Sequence, residues 1–389
     1  MHILLPFAIT LCITLTTFAS DILLPSIYKV SEYFSINSSI AQWSISIFFI
    51  GQLSGALFWG TLSDKYGSNK TLLASLLIVF LATVTCIIAT TIHLFLMGRY
   101  LQGFGAIASP VIGWAMIQHY YPKEKAALIM SIIGGVLSIA PMLAPALGGY
   151  IDKFYNWRGC LYFILFLNIV VILNLIVLPN YKDGIVTNKG KNILKTYKSI
   201  LLDKAFTSNI LMFGILASGE WCFLTVIPVY FKQKYNIPSI QIGYLLSISA
   251  SFYISGTFIT SYLLKKISID SVIKIGVILC VIASLILICF HFININSPLY
   301  TSLIFGFYLM SAALLWGTTA TRALQNYTVN KSTASAARVL ILIGCCAFGS
   351  FLGTIIEVTN TLEVSIFLLI FSLISLTLSR QDYMKENTA

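Results

Sequence analysis

Apolar runs of about twenty residues recur along the whole 389-residue chain, and they constrain its fold more than any other feature. A run of this length spans the hydrocarbon core of a bilayer when it is helical. Only 10% of the residues are charged and 58% are hydrophobic, more apolar surface than a water-soluble domain of this size can bury. The runs over 75–88 and 161–178 are apolar on every face, unlike the alternating strands of a membrane barrel. The sequence therefore predicts an all-α membrane protein.

Twelve transmembrane helices are predicted from these runs. They cover residues 5–28, 41–62, 71–91, 93–118, 127–151, 159–179, 206–231, 239–264, 270–292, 297–319, 333–357 and 361–380. The longest polar stretch separates the sixth helix from the seventh, so we expect six-helix bundles over 1–180 and 206–389 and a cytoplasmic linker over 181–205. Within the linker, Ile193 to Leu202 has the pattern of an amphipathic helix that lies on the cytoplasmic membrane surface.

The distribution of basic residues predicts the orientation in the membrane. With both termini on the cytoplasmic side, the inner loops and tail hold 17 Lys and Arg residues and the outer loops hold 5. An excess of this kind marks cytoplasmic loops. The net charge of +11 is thus explained by topology, and no nucleic-acid partner is expected.

Motifs for nucleotide or metal chemistry are missing from the sequence. The chain has no Walker-type Lys after a glycine-rich loop, no His-Glu-x-x-His and no Gly-x-Ser-x-Gly. We therefore expect no enzymatic activity, no cofactor and no metal site, and any transport must be driven by an ion gradient or by the gradient of the solute. A polytopic enzyme or sensor is a weaker alternative, since the four histidines are scattered.

A short polar hairpin joins the second predicted helix to the third. It reads Gly60-x-Leu62-x-Asp64-Lys65-x-Gly67. Gly60 is expected to allow close helix packing, and Gly67 to permit the backbone reversal. Asp64 lies at the cytoplasmic end of its helix, where we expect it to face the N-terminus of the eleventh predicted helix as a latch between the two halves.

This hairpin resembles motif A of the major facilitator superfamily, and other segments extend the resemblance. Residues 99–106 are similar to motif B, and 140–149 to motif C of the antiporter branch, followed by Asn156-Trp157-Arg158. Asp21-x-x-x-Pro25 matches the element of the bicyclomycin-resistance branch of drug:proton antiporters. The resemblance implies a bacterial inner-membrane transporter with two six-helix bundles, which needs no partner subunit to form a pathway.

Charged side chains inside predicted helices point to the functional site, because a charge in the membrane is unfavourable unless it has a role. Asp21 and Arg99 lie at similar depth, so they are expected to pair or to compete for a proton. Glu220 is expected to bind a cationic substrate or a second proton. Arg338 lies near a helix end and is expected to snorkel to the cytoplasmic surface.

Helix five and the tryptophans complete the set of candidate residues. Pro141 and Pro145 are expected to kink the helix, and the glycines Gly134, Gly135, Gly148 and Gly149 to let it pack closely. Trp43, Trp114, Trp221 and Trp316 are candidates for a substrate cavity, where an aromatic face can bind a cation.

The leading hypothesis is a secondary transporter that exports a small amphipathic, drug-like compound in exchange for protons by alternating access. The alternative, which the sequence leaves open, is an importer or facilitator of a metabolite or siderophore with the same fold.

Overall fold

The computed structural model describes residues 4–177, 193–293, 295, 297–325, 327, 331–356 and 360–386. Within these ranges every regular element is a helix, which confirms the predicted all-α class. Eleven of the described helical segments are long and apolar enough to cross a membrane. The chain forms two compact units, one of Met1–Gly190 with Pro238–Gly243 and one of Lys191–Ile237 with Tyr244–Ala389.

The described part of the first unit contains seven α-helices and one 3-10 helix. They are α1 (Leu4–Asp21), the 3-10 helix Leu24–Ser26, α2 (Ile27–Phe34), α3 (Ser38–Tyr66), α4 (Ser68–Ile88), α5 (Ile92–Ala106), α6 (Ala108–Tyr120) and α7 (Lys123–Val177). Helix α5 packs against α3 and α4, and α1 packs against α7.

Glycines bring α3 and α5 into backbone contact. A Cβ atom added to Gly51 would lie 2.1 Å from the carbonyl oxygen of Tyr100, and one added to Gly103 would lie 2.0 Å from the carbonyl oxygen of Phe48. No larger residue fits at either position, since real Cβ contacts below 3.0 Å essentially never occur. Small residues therefore fix the position of α5, the helix that carries Arg99.

A proline interrupts the fourth predicted helix, which we expected to be continuous over 93–118. Pro110 has no N–H for the carbonyl of Ala106 one turn earlier, and α5 ends at that residue. The Thr16 hydroxyl of α1 donates to the Ala106 carbonyl at 2.8 Å and replaces the missing donor. The break is thus stabilised by a hydrogen bond from another helix.

Helix α7 is two membrane helices joined by a sharp turn. A straight helix of 55 residues would be about 80 Å long, far more than one crossing requires. Asn156 has the non-helical angles φ 62° and ψ 174°. The Cys160 thiol donates to the carbonyl of Gly148 at 3.5 Å, although the two residues are 12 positions apart, so the chain reverses between them. With this turn, the eleven segments make the twelve predicted crossings, and one residue replaces the predicted loop over 152–158.

The second unit contains the remaining described helices, except for the start of α10, which belongs to the first unit. They are α8 (Ile193–Leu202), α9 (Lys204–Tyr235), α10 (Ser239–Leu263), α11 (Ile269–Phe292), α12 (Pro298–Leu324), α13 (Lys331–Ile355) and α14 (Thr361–Glu386). The pairs α9–α13 and α11–α12 pack closely. Between α9 and α13, a Cβ added to Gly349 would lie 1.9 Å from the carbonyl oxygen of Ser218, whose hydroxyl donates to the Cys345 carbonyl at 2.8 Å.

The predicted linker helix is present as α8, and Asp203 joins it to α9. One carboxylate oxygen of Asp203 accepts hydrogen bonds from the backbone N–H groups of Ala205 and Phe206, which caps α9. The other accepts from the Tyr327 hydroxyl at 2.5 Å, and the Tyr327 ring packs edge-on against Phe206. This residue thus ties the start of α9 to the segment that follows α12.

Candidate functional site

Asp21 is the last residue of α1, and Pro25 explains why the helix ends there. A proline lacks the N–H that would bond to the carbonyl four residues earlier, and its ring clashes with that carbonyl. In Asp21-x-x-x-Pro25 the affected carbonyl belongs to Asp21 itself. The chain continues as the short 3-10 helix, so the predicted helix over 5–28 is broken rather than continuous. The carboxyl group is therefore placed at a helix break, and Asp21 is only 6% exposed.

Arg99 is fully buried in α5 and connects three helices. Its Nε donates to the carbonyl of Ser44 in α3 at 3.3 Å, and its Nη1 donates to the carbonyl of Ala19 in α1 at 2.9 Å. Nη1 also donates to the side chain of Gln102. The guanidinium carbon lies 4.5 Å from the centre of the Phe48 ring, a cation–π geometry. Arg99 is thus held by backbone carbonyls and an aromatic face.

The surroundings of Arg99 contain residues that the sequence analysis did not single out. Gln102 donates through Nε2 to the Thr83 hydroxyl of α4 at 2.9 Å, which adds a fourth helix to the network. Both side chains are fully buried. Gln102 lies inside the segment that resembles motif B, so the spacing of three residues after Arg99 was an available signal for it. Thr83 had no such signal.

Asp21 and Arg99 are neighbours that do not form an ion pair in this conformation. The Asp21 carboxylate accepts a hydrogen bond from the hydroxyl of Ser20. Ion pairs do form elsewhere in the protein, for example Lys29–Asp152 at 2.7 Å and Arg322–Asp270 at 2.8 Å. Arg99 nevertheless binds the carbonyl of Ala19, two residues before Asp21, so its charge lies at the negative end of the α1 dipole. The hydrogen bonds described for Arg99 are donated by Nε and Nη1.

A second charged cluster lies within the second unit. Glu220 of α9 is half-buried, and the Tyr253 hydroxyl of α10 is within electrostatic range of both Glu220 and Arg338. The Arg338 guanidinium lies 4.5 Å from the centre of the Trp316 ring and donates to the Trp316 carbonyl at 3.3 Å. The predicted snorkelling of Arg338 is wrong, because the side chain folds onto α12 instead. Trp316 is 43% exposed and packs edge-on against Phe213.

The other three tryptophan candidates are less informative. Trp43 in α3, Trp114 in α6 and Trp221 in α9 are each half-buried. Their assignment to a substrate cavity stays a prediction, whereas Trp316 lies against the Arg338 guanidinium.

The hairpin between α3 and α4 turns at Gly67, which has a φ of 92°. This backbone conformation favours glycine, so the residue type matches the turn. Asp64 and Lys65 are exposed in the last turn of α3, and the Lys65 ammonium lies 5.0 Å from the centre of the Tyr66 ring. The close packing expected at Gly60 is wrong, since an added Cβ would meet its nearest neighbour at an ordinary 3.8 Å. The latch between the halves stays a prediction.

The proline- and glycine-rich part of α7 has two kinds of glycine. A Cβ added to Gly148 would lie 1.9 Å from the carbonyl oxygen of Ile22, and one added to Gly149 would lie 2.5 Å from that of Ser239. An added Cβ at Gly134 or Gly135 would meet nothing within 4 Å, so the close packing predicted there is wrong. Pro141 and Pro145 lie inside the helical part of α7 between these two pairs of glycines.

The comparison with known families identifies the chain. The profile of the Major Facilitator Superfamily matches residues 9–354, which is most of the sequence. The chain belongs to the Major Facilitator Superfamily.

Relatives within this superfamily include proteins named for drug resistance. The chain is 25% identical to an uncharacterized transporter of the superfamily, YdgK of Bacillus subtilis, over 88% of this chain and 86% of that one. It is 23% identical to the bicyclomycin resistance protein homolog of Haemophilus influenzae over 67% of each chain. It is 24% identical to the multidrug resistance protein MdtL of Escherichia coli over 77% of this chain and 76% of that one.

Solved structures of the superfamily share the fold. A crystal structure of a D-xylose-proton symporter superposes with a TM-score of 0.78 at 14% identity and covers 96% of both chains. At this identity the likeness concerns the fold and not the solute. The chain is therefore a multi-pass transporter of the bacterial plasma membrane and not an enzyme.

Proposed function

We propose that this transporter exports a small amphipathic compound from the cytoplasm in exchange for protons, by alternating access. The observation that carries the proposal is the buried Asp21 carboxyl group beside a buried but unpaired Arg99. The relatives named for bicyclomycin resistance and multidrug resistance support the direction of transport and the class of compound.

Proton exchange at Asp21 needs two states of the carboxyl group with nearly equal free energy. Burial in a membrane helix favours the neutral acid, whereas a guanidinium nearby favours the carboxylate. Arg99 keeps its position in both states, because backbone carbonyls of α1 and α3 hold it. The ionised carboxylate would bind the Arg99 guanidinium, and protonation would release it. The protein thus needs to move only one side chain to load or unload a proton.

The second charged cluster is the proposed substrate contact. An arginine that remains partly exposed inside a membrane protein is expected to face water rather than lipid. Arg338 stacked on Trp316, with Glu220 near the intervening Tyr253, offers an aromatic face and both signs of charge. Such a surface suits an amphipathic compound with an aromatic part and a polar or charged group.

Proton release from proteoliposomes with a trapped pH dye tests the proposal. Lipophilic cations, neutral antibiotics and carboxylate compounds would be added to wild type, to Asp21→Asn and to Glu32→Gln, which changes an exposed carboxylate of α2. We expect a compound that triggers proton movement in wild type and in Glu32→Gln, and a loss of about tenfold or more in Asp21→Asn. Unchanged proton movement in Asp21→Asn would refute the assignment. Solute equilibration without proton movement in all three proteins would favour the alternative, a facilitator.

A further inference from the structure

Gly148 of α7 is in backbone contact with the helix break that carries Asp21. A Cβ added to Gly148 would lie 1.9 Å from the carbonyl oxygen and 2.9 Å from the carbonyl carbon of Ile22, the residue after Asp21. Both atoms are backbone atoms of a fully buried residue, so no side-chain rotation can relieve the overlap. The space for the break therefore depends on the absence of a side chain at position 148.

The Ile22 carbonyl faces Gly148 because the helix has released it. In a 3-10 turn its donor would be residue 25, a proline without an N–H. In an α-helix its donor would be Ser26, whose N–H instead bonds to the carbonyl of Leu23 at 3.0 Å. A glycine Cα can approach such a carbonyl closely and make a weak C–H···O contact. Pro25 and Gly148 thus both act on the Ile22 carbonyl: the proline supplies no donor for it, and the glycine leaves room for its oxygen.

We infer that Gly148 is a positioning residue for Asp21, and that it couples the arm of α7 that contains Pro141 and Pro145 to the proposed proton site. This inference rests on the proposed function. Arg99 is bonded to α3 and α5 as well as to α1, so it stays in place when the end of α1 is displaced. A movement of α7 against Ile22 therefore changes the distance between the Asp21 carboxyl group and the Arg99 guanidinium.

Among the described residues, Arg99 of α5 is the charged residue that interacts electrostatically with Asp21. On α7, Asp152 is paired with Lys29 of α2, and the Cys160 thiol donates to the Gly148 carbonyl. The 3-10 helix carries no charged residue, and the histidine of α6, His119, is exposed in the last turn of that helix. A displacement of the break therefore acts on one charge–charge distance.

The test compares the pH profile of transport in glycine variants of α7. Gly148→Ala should shift the pH at which substrate-driven proton movement is half-maximal, whereas Gly135→Ala, on the same helix with open space around it, should match wild type. An unchanged pH profile in a folded Gly148→Ala protein would overturn the inference. Protein accumulation and elution as a single species report folding.

If Gly148→Ala does not fold, a second variant tests the positioning role of Gly148. Pro25→Ala restores a backbone N–H that can bond to the released Ile22 carbonyl, so it changes the helix break without changing α7. We expect a shifted pH profile for this variant, and an unchanged profile overturns the inference. Asp21→Asn is measured in parallel: if it keeps proton-coupled transport, the proposed function fails. If it loses coupling while the Gly148 and Pro25 variants keep the wild-type profile, the positioning role alone fails.

Discussion

At the scale of single residues, Arg99 shows how a buried charge is stabilised without a counter-ion in contact. Two backbone carbonyls, the Gln102 side chain and the Phe48 ring surround the guanidinium. The planar fork of arginine reaches acceptors on separate helices, which the single ammonium of lysine does not. The residue type therefore matters at this position beyond its charge.

Arg99→Lys should accordingly lower both stability and transport although it keeps the charge. At least one buried carbonyl would lose its donor, which costs about 1–3 kcal/mol. Arg380→Lys, an exposed change in α14, is the matched control. Thermal unfolding in detergent and transport in proteoliposomes measure the two effects. A variant with wild-type stability and wild-type activity would show that Arg99 acts only through its charge.

At the scale of elements, breaks in the helices are set by local prolines but stabilised by distant residues. Pro25 and Pro110 each remove the donor of a carbonyl four residues earlier. Helix α1 accordingly ends at Asp21 and α5 at Ala106. The sequence could have located both breaks. It could not show that Thr16 supplies the donor for Ala106 or that Gly148 faces Ile22, because these contacts join residues about 90 and 126 positions apart.

The turn inside α7 predicts how substitutions of Asn156 behave. Its angles, φ 62° and ψ 174°, are tolerated almost only by glycine. Asn156→Ala and Asn156→Gly both remove the side-chain acceptor of the Trp157 N–H, so they differ mainly in backbone strain. We expect the glycine variant to be more stable than the alanine variant by about 1–3 kcal/mol, and therefore to unfold at a higher temperature. The reverse order would contradict the conformation described for this turn.

The bond between Asp203 and Tyr327 gives a prediction about pH. Tyr327→Phe keeps the ring on Phe206 and removes one hydrogen bond, worth about 1 kcal/mol at a partly exposed position. Burial raises the pKa of Tyr327 from 10.0 to about 12. A raised pKa means that the protonated form is favoured in the folded state, so this contribution is complete below pH 10 and is lost as the pH rises through about 12.

The stability difference between wild type and Tyr327→Phe should therefore stay constant from about pH 6 to about pH 9. Thermal unfolding of both proteins across this range measures it. A difference that shrinks as the pH rises within this range would show that Tyr327 ionises there, contrary to its raised pKa.

At the scale of the whole molecule, the sequence predicted the class, the number of crossings and the family better than it predicted side-chain contacts. Apolar length and amphipathic pattern are local properties, so the twelve crossings followed from the first and the linker helix Ile193–Leu202 from the second. The direction of a side chain depends on partners far along the chain. Arg338 was expected at the surface and instead lies on Trp316, and Gly60 was expected in a close contact that is not there.

Each compact unit contains one of the two charged clusters, and we propose a different task for each. Asp21 and Arg99 in the first unit are proposed to bind the proton, and Glu220 with Arg338 in the second to contact the substrate. A variant that disables only the proton site should still carry substrate across the membrane. We therefore expect such a variant to lose proton coupling and to keep substrate exchange.

Substrate exchange at equal pH on both sides, measured together with transport driven by a pH gradient, separates the proton task from the substrate task. In Asp21→Asn we expect exchange of labelled substrate at nearly the wild-type rate and no accumulation driven by the gradient, because the neutral side chain permits the conformational cycle without carrying a proton. Accumulation at the wild-type level in Asp21→Asn would show that Asp21 does not carry the coupled proton.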